Sequence, residues 1–235
     1  MTHAEKEYLP AAGRDLFLPL YDPLTTLIGL GKVRRQLVDQ ARLQPKQRVL
    51  DVGCGTGTLL VLLKRRYPEI EAVGIDPDPR ALERATRKAR RAQLRIRFER
   101  GFADRLDCET SSFDRVLSSF MFHHLEGDAK LATLRQVQRV LKPGGRFDMV
   151  DFAGRERAES SGFHHWVHSH ARLAGNDSER VIALMAEAGL RDPRVVDERV
   201  TWFGTIVYYR ATSQPRVVQR ESAASFEKPR APARS

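Results

Sequence analysis

Cysteine is nearly absent from this chain, with two residues, Cys54 and Cys108, among 235. Neither lies in a Cys-x-x-Cys pair or a Cys/His cluster, so neither a disulfide framework nor a zinc site is indicated. Long apolar runs are lacking as well, and none approaches the length a bilayer span requires. Met1 to Lys6 is polar with no signal-type apolar core behind it, from which a cytoplasmic protein is expected. No internal repeat is visible, which removes the solenoid and propeller architectures. Acidic residues are the minority, 30 against 40 Lys and Arg, for a net charge of +10. Such an excess attracts nucleic acid, anionic lipid or an acidic substrate. Much of it, however, lies between Arg80 and Arg100 at helix-like spacing, where a solvated helix face accounts for it. Nucleic acid is therefore not the expected partner, and peripheral contact is the most expected of a membrane.

A chain of this length supports one domain with modest extensions. Apolar runs alternate with helical patterns through its middle, the signature of a parallel sheet covered on both faces. Arg48 to Val52 reads as a buried strand, Thr58 to Tyr67 as a helix and Glu71 to Asp76 as a second strand. A basic amphipathic helix is predicted over Pro79 to Arg91, then strands over Leu94 to Glu99 and Phe113 to Ser118. A helix over Asp128 to Leu141 stops at Lys142-Pro143-Gly144-Gly145, and a strand over Arg146 to Phe152 follows. Gly162 to Leu173 reads as a loop and helix, Ser178 to Ala188 as a helix ended by Gly189, and Arg194 to Val200 and Thr205 to Ala211 as strands, seven in all. Ahead of this core, Leu16 to Leu20 and Leu24 to Leu43 look helical, broken at Asp22-Pro23. The expected organisation is a helical cap over 1–44, a core over 45–212 with a lid insert at about 155–176, and a disordered tail over 213–235.

The strongest chemical signal is Val49-Leu50-Asp51-Val52-Gly53-Cys54-Gly55-Thr56-Gly57, a buried strand running into a glycine-rich turn and then a helix. Glycines there let main-chain groups approach a ligand at the carboxyl end of the strand, where open α/β sheets bind ligands. Asp76 ends the next strand 19 residues after Gly57, a spacing that suits a carboxylate accepting hydrogen bonds from both hydroxyls of a ribose. A nicotinamide dinucleotide site shares these features but needs GxGxxG, and position 58, where the third glycine would fall, is Thr.

The segment VLDVGCGTG with the later GID resembles the first two motifs of class I S-adenosylmethionine-dependent methyltransferases. Ser112 to Ser119 (SFDRVLSS) resembles that family's fourth-strand motif, and Val140 to Phe147 (VLKPGGRF) resembles its turn into the fifth strand. The match spans about residues 45 to 210, and the chain looks most like the ubiquinone/menaquinone-biosynthesis type of small-molecule enzyme. The resemblance implies a doubly wound, Rossmann-like α/β fold, a seven-stranded sheet with one antiparallel edge strand and helices on both faces. It implies S-adenosyl-L-methionine as cofactor. Gly53, Cys54, Gly55 and Gly57 would then wrap its methionine part, with Asp51 holding the site for the ammonium group. Asp76 would hold the ribose hydroxyls, and Pro77 would line the adenine. Phe102 and Ala103 match the place where the family often has Asp-Ala, so Phe stands where that acid is usual, with Asp104 as a neighbouring substitute. Ser118 would present a strand-end carbonyl to the methionine amino group, and Tyr21 in the cap would close over the carboxylate.

Methyl transfer from a sulfonium needs alignment and exclusion of water, and a base if the acceptor is a hydroxyl or an enolisable carbon. His123 and His124, after the fourth strand, and Asp151, at the end of the fifth, are the candidate catalytic residues, as a base with an orienting acid. Phe163 to His170 carries four histidines, His164, His165, His168 and His170, without an accompanying acid or cysteine, so it reads as a substrate-facing lid in which Phe163 and Trp166 contact the acceptor, not as a metal site. The expected function is O- or C-methylation of a small apolar or aromatic acceptor, quinone-like or a natural product. The alternatives are an RNA- or protein-binding module on the same fold and an NAD-linked oxidoreductase, which the glycine spacing disfavours. Oligomeric state leaves no mark on the sequence.

Overall fold

A computed structural model describes residues 30–154, 176–201 and 204–214. Thirteen regular elements lie among the described residues: α1 (Leu30–Ala41), β1 (Arg48–Val52), α2 (Thr58–Arg66), β2 (Glu71–Asp76), α3 (Pro79–Arg91), β3 (Arg97–Arg100), β4 (Phe113–Ser119), a 3-10 turn (Phe122–His124), α4 (Asp128–Val140), β5 (Leu141–Phe152), α5 (Ser178–Glu187), β6 (Arg191–Thr201) and β7 (Gly204–Thr212). The strands form one seven-stranded sheet in the order β3-β2-β1-β4-β5-β7-β6. β1 to β5 are parallel, and β7 runs antiparallel between β5 and the outermost β6. Chain order reverses between β1 and β4, and a crevice opens beyond the carboxyl ends of two strands that diverge in this way.

Strand alternation sets the two faces of the sheet. Leu50, Val52, Val116, Phe147 and Met149 point one way, onto Leu134 and Val137 of α4 and Val181 and Met185 of α5. Val49, Leu117, Val150 and Phe152 point the other way, onto Leu37 of α1 and Leu59, Leu60 and Leu63 of α2. Each buried aliphatic side chain contributes about 1.5 to 3 kcal/mol, so either layer alone is a substantial core.

Local chemistry starts the helices. Asp78 caps α3 by accepting from the Arg80 N–H at 2.8 Å, with Pro79 in the first turn, and Asp177 caps α5 through the Arg180 N–H at 2.8 Å. α3 buries Ala81, Leu82, Ala85 and Ala89 and exposes Arg87, Arg90 and Arg91, the solvated basic face expected from its spacing. The carboxyl end of α1 is held by two arginines. Arg146 and Arg210 both bind the Asp148 carboxylate, at 2.8 and 2.7 Å, and both donate to the Gln40 carbonyl at 3.0 Å. Cations at that end also suit the helix dipole, so α1 is fixed in orientation against β5 and β7.

The structure corrects several boundaries. The third strand is Arg97–Arg100, not Leu94 to Glu99, because Leu94 still hydrogen bonds back to Ala89 at the end of α3. The fifth strand begins at Leu141, which pairs with Phe113; the chain then bulges through Lys142 to Gly145 and rejoins the ladder at Arg146 opposite Arg115. Gly144, at φ 73°, permits that bulge, so the Pro-Gly-Gly segment interrupts a strand where a break between elements was expected. Ser213 and Gln214, expected to open the tail, are bonded to that bulge: Ser213 donates to Gly145 at 2.9 Å, and Gln214 accepts from Gly144 at 3.3 Å. Residues 1–29, most of the cap, and 155–175, nearly all of the insert, lie outside the described residues.

Candidate active site

β1 ends in three left-handed glycines separated by single residues: Gly53 at φ 72°, Gly55 at φ 51° and Gly57 at φ 73°. Side chains at these positions would be strained, which explains the sequence locally. The turn is tied to β2, since the Gly53 and Cys54 N–H groups both donate to the Ile75 carbonyl, at 2.9 and 3.0 Å. A Cβ on Gly57 would come within 2.9 Å of Ala85, so that glycine serves packing against α3; a Cβ on Gly55 would meet nothing within 4 Å. Gly55 is therefore the point where backbone stands bare toward open space.

Asp76 closes the turn. Its Oδ2 accepts from the Gly55 N–H at 2.8 Å and its Oδ1 from the Asp78 N–H at 3.0 Å. Each oxygen keeps a further lone pair for an incoming hydroxyl. Burial pushes the Asp76 carboxyl up, against the two backbone donors that lower it, with Asp78 adding to the rise. Pro77 and Phe102 lie beside it: Gly101 donates to the Asp76 carbonyl at 3.2 Å, and Arg105 covers the Phe102 ring at 4.4 Å. Ala103 packs on the core at the same corner. Cys54 is a buried thiol whose ionisation is pushed well up, first by burial and then by Asp51 and Asp76, so it serves packing and not nucleophilic chemistry. Ser118 turns its hydroxyl to the Val52 carbonyl at 3.0 Å, bracing β4 on β1 at the mouth of the crevice.

Asp51 differs from all of these. It is fully buried, and neither carboxylate oxygen has a hydrogen-bond partner among the described residues. Burial raises its pKa to about 8, against the lowering field of Arg34 and with a further rise from Asp76. An orphaned buried carboxyl beside bare glycine backbone fits a ligand with a cationic group. The site thus suits the cofactor expected from the sequence, with the glycine turn and Asp51 for an amino-acid head and Asp76 for a ribose.

Across the crevice, β4 leads into Phe120, in the left-handed region at φ 56°, then Met121 and the turn Phe122–His124. The paired ladder Ser119 to Val150 sets the turn after β4 beside the carboxyl end of β5. His123 and Asp151, 28 residues apart, consequently meet: the His123 N–H donates to Asp151 Oδ2 at 3.1 Å, and Nδ1 lies 2.5 Å from Oδ1. The Phe152 N–H donates to the same Oδ1 at 2.7 Å. Burial pushes Asp151 up, yet His123 and the Phe152 N–H outweigh it and hold the carboxyl below its usual range. Ionised Asp151 can only accept, so the proton between them belongs to Nδ1, and Nε2 is the nitrogen through which His123 takes up a further proton. His124 packs against His123 with ring centroids 4.0 Å apart and ring planes tilted by 40°. Behind the pair, buried Lys130 donates to Asn176 Oδ1 at 3.0 Å, and the Gly154 N–H donates to the Asn176 carbonyl at 3.0 Å, which joins the two ends of the insert.

Two residues at this site went unassigned in the sequence. Met121 lies over the glycine turn, its Cβ and Cγ filling the space that a side chain on Gly53 would need. Arg34 sits on the buried face of α1 among Leu30, Val33, Leu37 and Val38. A cation in an otherwise apolar helical stripe was the available signal. Tyr21 and the histidines of 164–170 lie outside the described residues.

Residues 49–145 match the family described as a methyltransferase domain. The chain is 40% identical over 137 residues to a demethylmenaquinone methyltransferase of Deinococcus radiodurans, covering 57% of this chain and 56% of that protein. It is 38% identical over 137 residues to a demethylmenaquinone methyltransferase of Thermus thermophilus, covering 57% and 61%. The chain thus spans about three fifths of the length of these curated relatives. Among solved structures it is similar to phosphoethanolamine N-methyltransferase 2 of Haemonchus contortus in complex with S-adenosyl-L-methionine, with a TM-score of 0.75 at 15% identity, covering 89% of this chain and 61% of that one. It is also similar to the [4+2]-cyclase SpnF, with a TM-score of 0.64 at 19% identity, covering 79% and 81%. At such identities the likeness is one of fold, and a cyclase among the neighbours underlines that the fold alone does not fix the reaction.

Proposed function

We propose that the chain, whose residues 49–145 match a methyltransferase domain, transfers the methyl group of S-adenosyl-L-methionine to a small quinone-like acceptor, at a carbon or a hydroxyl of the reduced ring. The observation that carries the reading is the crevice between β1 and β4, with the unpartnered Asp51 carboxyl and the glycine turn tied to Asp76 on one wall and the buried His123-Asp151 pair on the other. When bound, the cofactor supplies an activated methyl on a sulfonium. Asp51 and the bare backbone at Gly55 would hold its amino-acid end, and Asp76 would accept from its ribose hydroxyls. Met121, Phe120 and Phe152 give the crevice an apolar wall that excludes water from the reacting atoms. His123 takes the acceptor's proton at Nε2, and Asp151 holds the ring in the tautomer this requires and stabilises the imidazolium that results. Transfer would exchange the S–CH3 bond for a C–CH3 or O–CH3 bond, and His123 would hold the proton displaced from the acceptor.

The relatives named for demethylmenaquinone support a naphthoquinol as the first acceptor to test. Purified protein incubated with methyl-labelled cofactor and a short-chain naphthoquinol lacking the ring methyl is expected to move label into the naphthoquinol, detected by mass. Label remaining on the cofactor across naphthoquinol, benzoquinol and simple phenol acceptors would refute the assignment.

A further inference from the structure

We infer that the basic face formed by α3 and the β3 edge docks the protein on an anionic bilayer surface. Residues 79–100 hold nine Lys and Arg against two acids, Glu83 and Glu99, so this one segment carries +7 of the chain's net charge of +10. Helical period explains where these side chains point, but not their sign. Arg80, Arg84, Arg87 and Arg91 recur at intervals of four, three and four residues. They fall on one stripe of α3, roughly 16 Å long, opposite buried Ala81, Leu82, Ala85 and Ala89. Like charges at such spacing repel, and Arg80 stands in a first turn that holds no acid, where the helix dipole disfavours a cation. Arg87 relieves part of this through Glu83 at 2.7 Å. Lys88 leaves the stripe and reaches back to the Thr56 and Thr58 hydroxyls, at 3.1 and 2.7 Å. The opposite edge of the sheet shows that solvation alone asks for no such excess. β6 is also an outer strand, and there Arg191, Arg194 and Arg199 stand among three acids, Asp192, Asp197 and Glu198.

Position and composition select the partner. Ile96 and Phe98 pack into the core with Leu82 of α3, and strand alternation puts Arg100 on that side of β3 and Arg97 on the other, so positive charge wraps the sheet edge. Arg100 pairs with Asp76 in the ladder and donates to the Pro77 carbonyl at 3.3 Å, which brings the face to the rim of the crevice. Phe98, the one aromatic residue of 79–100, is half-buried against the core. The face therefore offers arginine forks for phosphate without the exposed rings on which single-stranded nucleic acid stacks. A bilayer with anionic headgroups presents its phosphates in a plane and attracts each cation that comes near it. It also dissolves an apolar acceptor beside the crevice, and in this respect the choice of a membrane rests on the quinone-like acceptor proposed above.

Co-sedimentation with vesicles reads docking without turnover. The wild-type protein is expected to bind phosphatidylcholine vesicles containing about one third phosphatidylglycerol at least about tenfold more tightly than vesicles of phosphatidylcholine alone, and to lose that preference as salt rises from about 0.05 M to about 0.5 M. Arg84→Gln, Arg87→Gln and Arg91→Gln combined should weaken binding about 100-fold, since each cation near the surface contributes about fivefold. The same loss of charge on β6, Arg191→Gln, Arg194→Gln and Arg199→Gln combined, should change binding by no more than about twofold, with thermal melts confirming that both variants fold. No preference of the wild-type protein for anionic vesicles at the lower salt would overturn the inference and needs no variant. So would equal losses in the two triple variants, which would reduce the effect to net charge. Tighter binding of single-stranded RNA than of anionic vesicles at the same salt would also overturn it and assign the face to nucleic acid. Vesicle binding with the expected loss in the α3 variant, but without methyl transfer to any quinol, would uphold the docking and strike the acceptor alone.

Discussion

Asp51 and Asp151 stand at the carboxyl ends of β1 and β5, both with no solvent exposure, and their carboxyls are driven in opposite directions. Asp151 accepts three hydrogen bonds and faces His123, so its ionised form is satisfied within the protein. Asp51 accepts none among the described residues and is raised to about 8. Strand alternation separates them further: Asp51 lies on the face of Val49, toward α1 and Arg34, and Asp151 on the face of Met149, toward α4 and Lys130. One wall of the crevice is therefore complete without a ligand and the other is not. The complete wall suits proton transfer, which needs a fixed geometry before the substrate arrives; the incomplete wall suits binding, where the ligand supplies the missing charge.

Three substitutions probe the contrast between the walls. The largest effect belongs to His123→Ala, which should lower kcat by about 100- to 10,000-fold while S-adenosylhomocysteine affinity stays within about twofold, because the base acts on the acceptor alone. Loss of affinity in parallel with rate would merge the two walls into one site. Asp151→Ala comes next and should cost about 3 kcal/mol of unfolding free energy at neutral pH, since a buried pair is broken from one side. Its pH dependence has a definite sign: the Asp151 carboxyl is held below its usual value, so its contribution is present above that value and fades as pH falls through the folded one. Denaturant melts of the variant and wild type should therefore converge as pH falls below the ordinary carboxylate value. The smallest effect is that of Asp51→Asn. With a carboxyl raised from 3.8 to about 8, folding favours the protonated form, and the cost grows as pH rises between those values. The substitution should leave stability unchanged near the lower of them and add roughly 1 to 3 kcal/mol once pH passes the upper, read from the same melts. A loss of stability at that higher pH would mean that Asp51 is satisfied inside the fold.

How much of this was legible in the sequence depended on the distance over which each feature is encoded. The glycine turn and Asp76 announce themselves locally, because φ restrictions and strand length act within a few residues, and 19 residues of βαβ spacing bring the acid back to the turn. His123 and Asp151 were readable as a pair because both follow neighbouring strands, although the proton position between them needed the geometry. The place of Arg34 was not readable. Its position beside Phe120 depends on α1 being docked across β5 and β7 by Arg146, Arg210 and Tyr208, contacts more than 100 residues away in sequence. The bulge over Lys142 to Gly145 escaped for a related reason: Pro and Gly signal a break, and only pairing with Phe113 and Arg115 shows that the strand resumes across it.

Whether an amino-acid head completes the unsatisfied wall can be read by titrating the wild-type protein with S-adenosylhomocysteine from about pH 6 to about pH 8, in buffers of different ionisation heat. Asp51 must give up its proton to meet the ligand's ammonium, so affinity should tighten about tenfold per pH unit toward the Asp51 value of about 8, with release of close to one proton near neutral pH that disappears in Asp51→Asn. Binding with no proton released and no dependence on pH, or no binding heat at all, would contradict it.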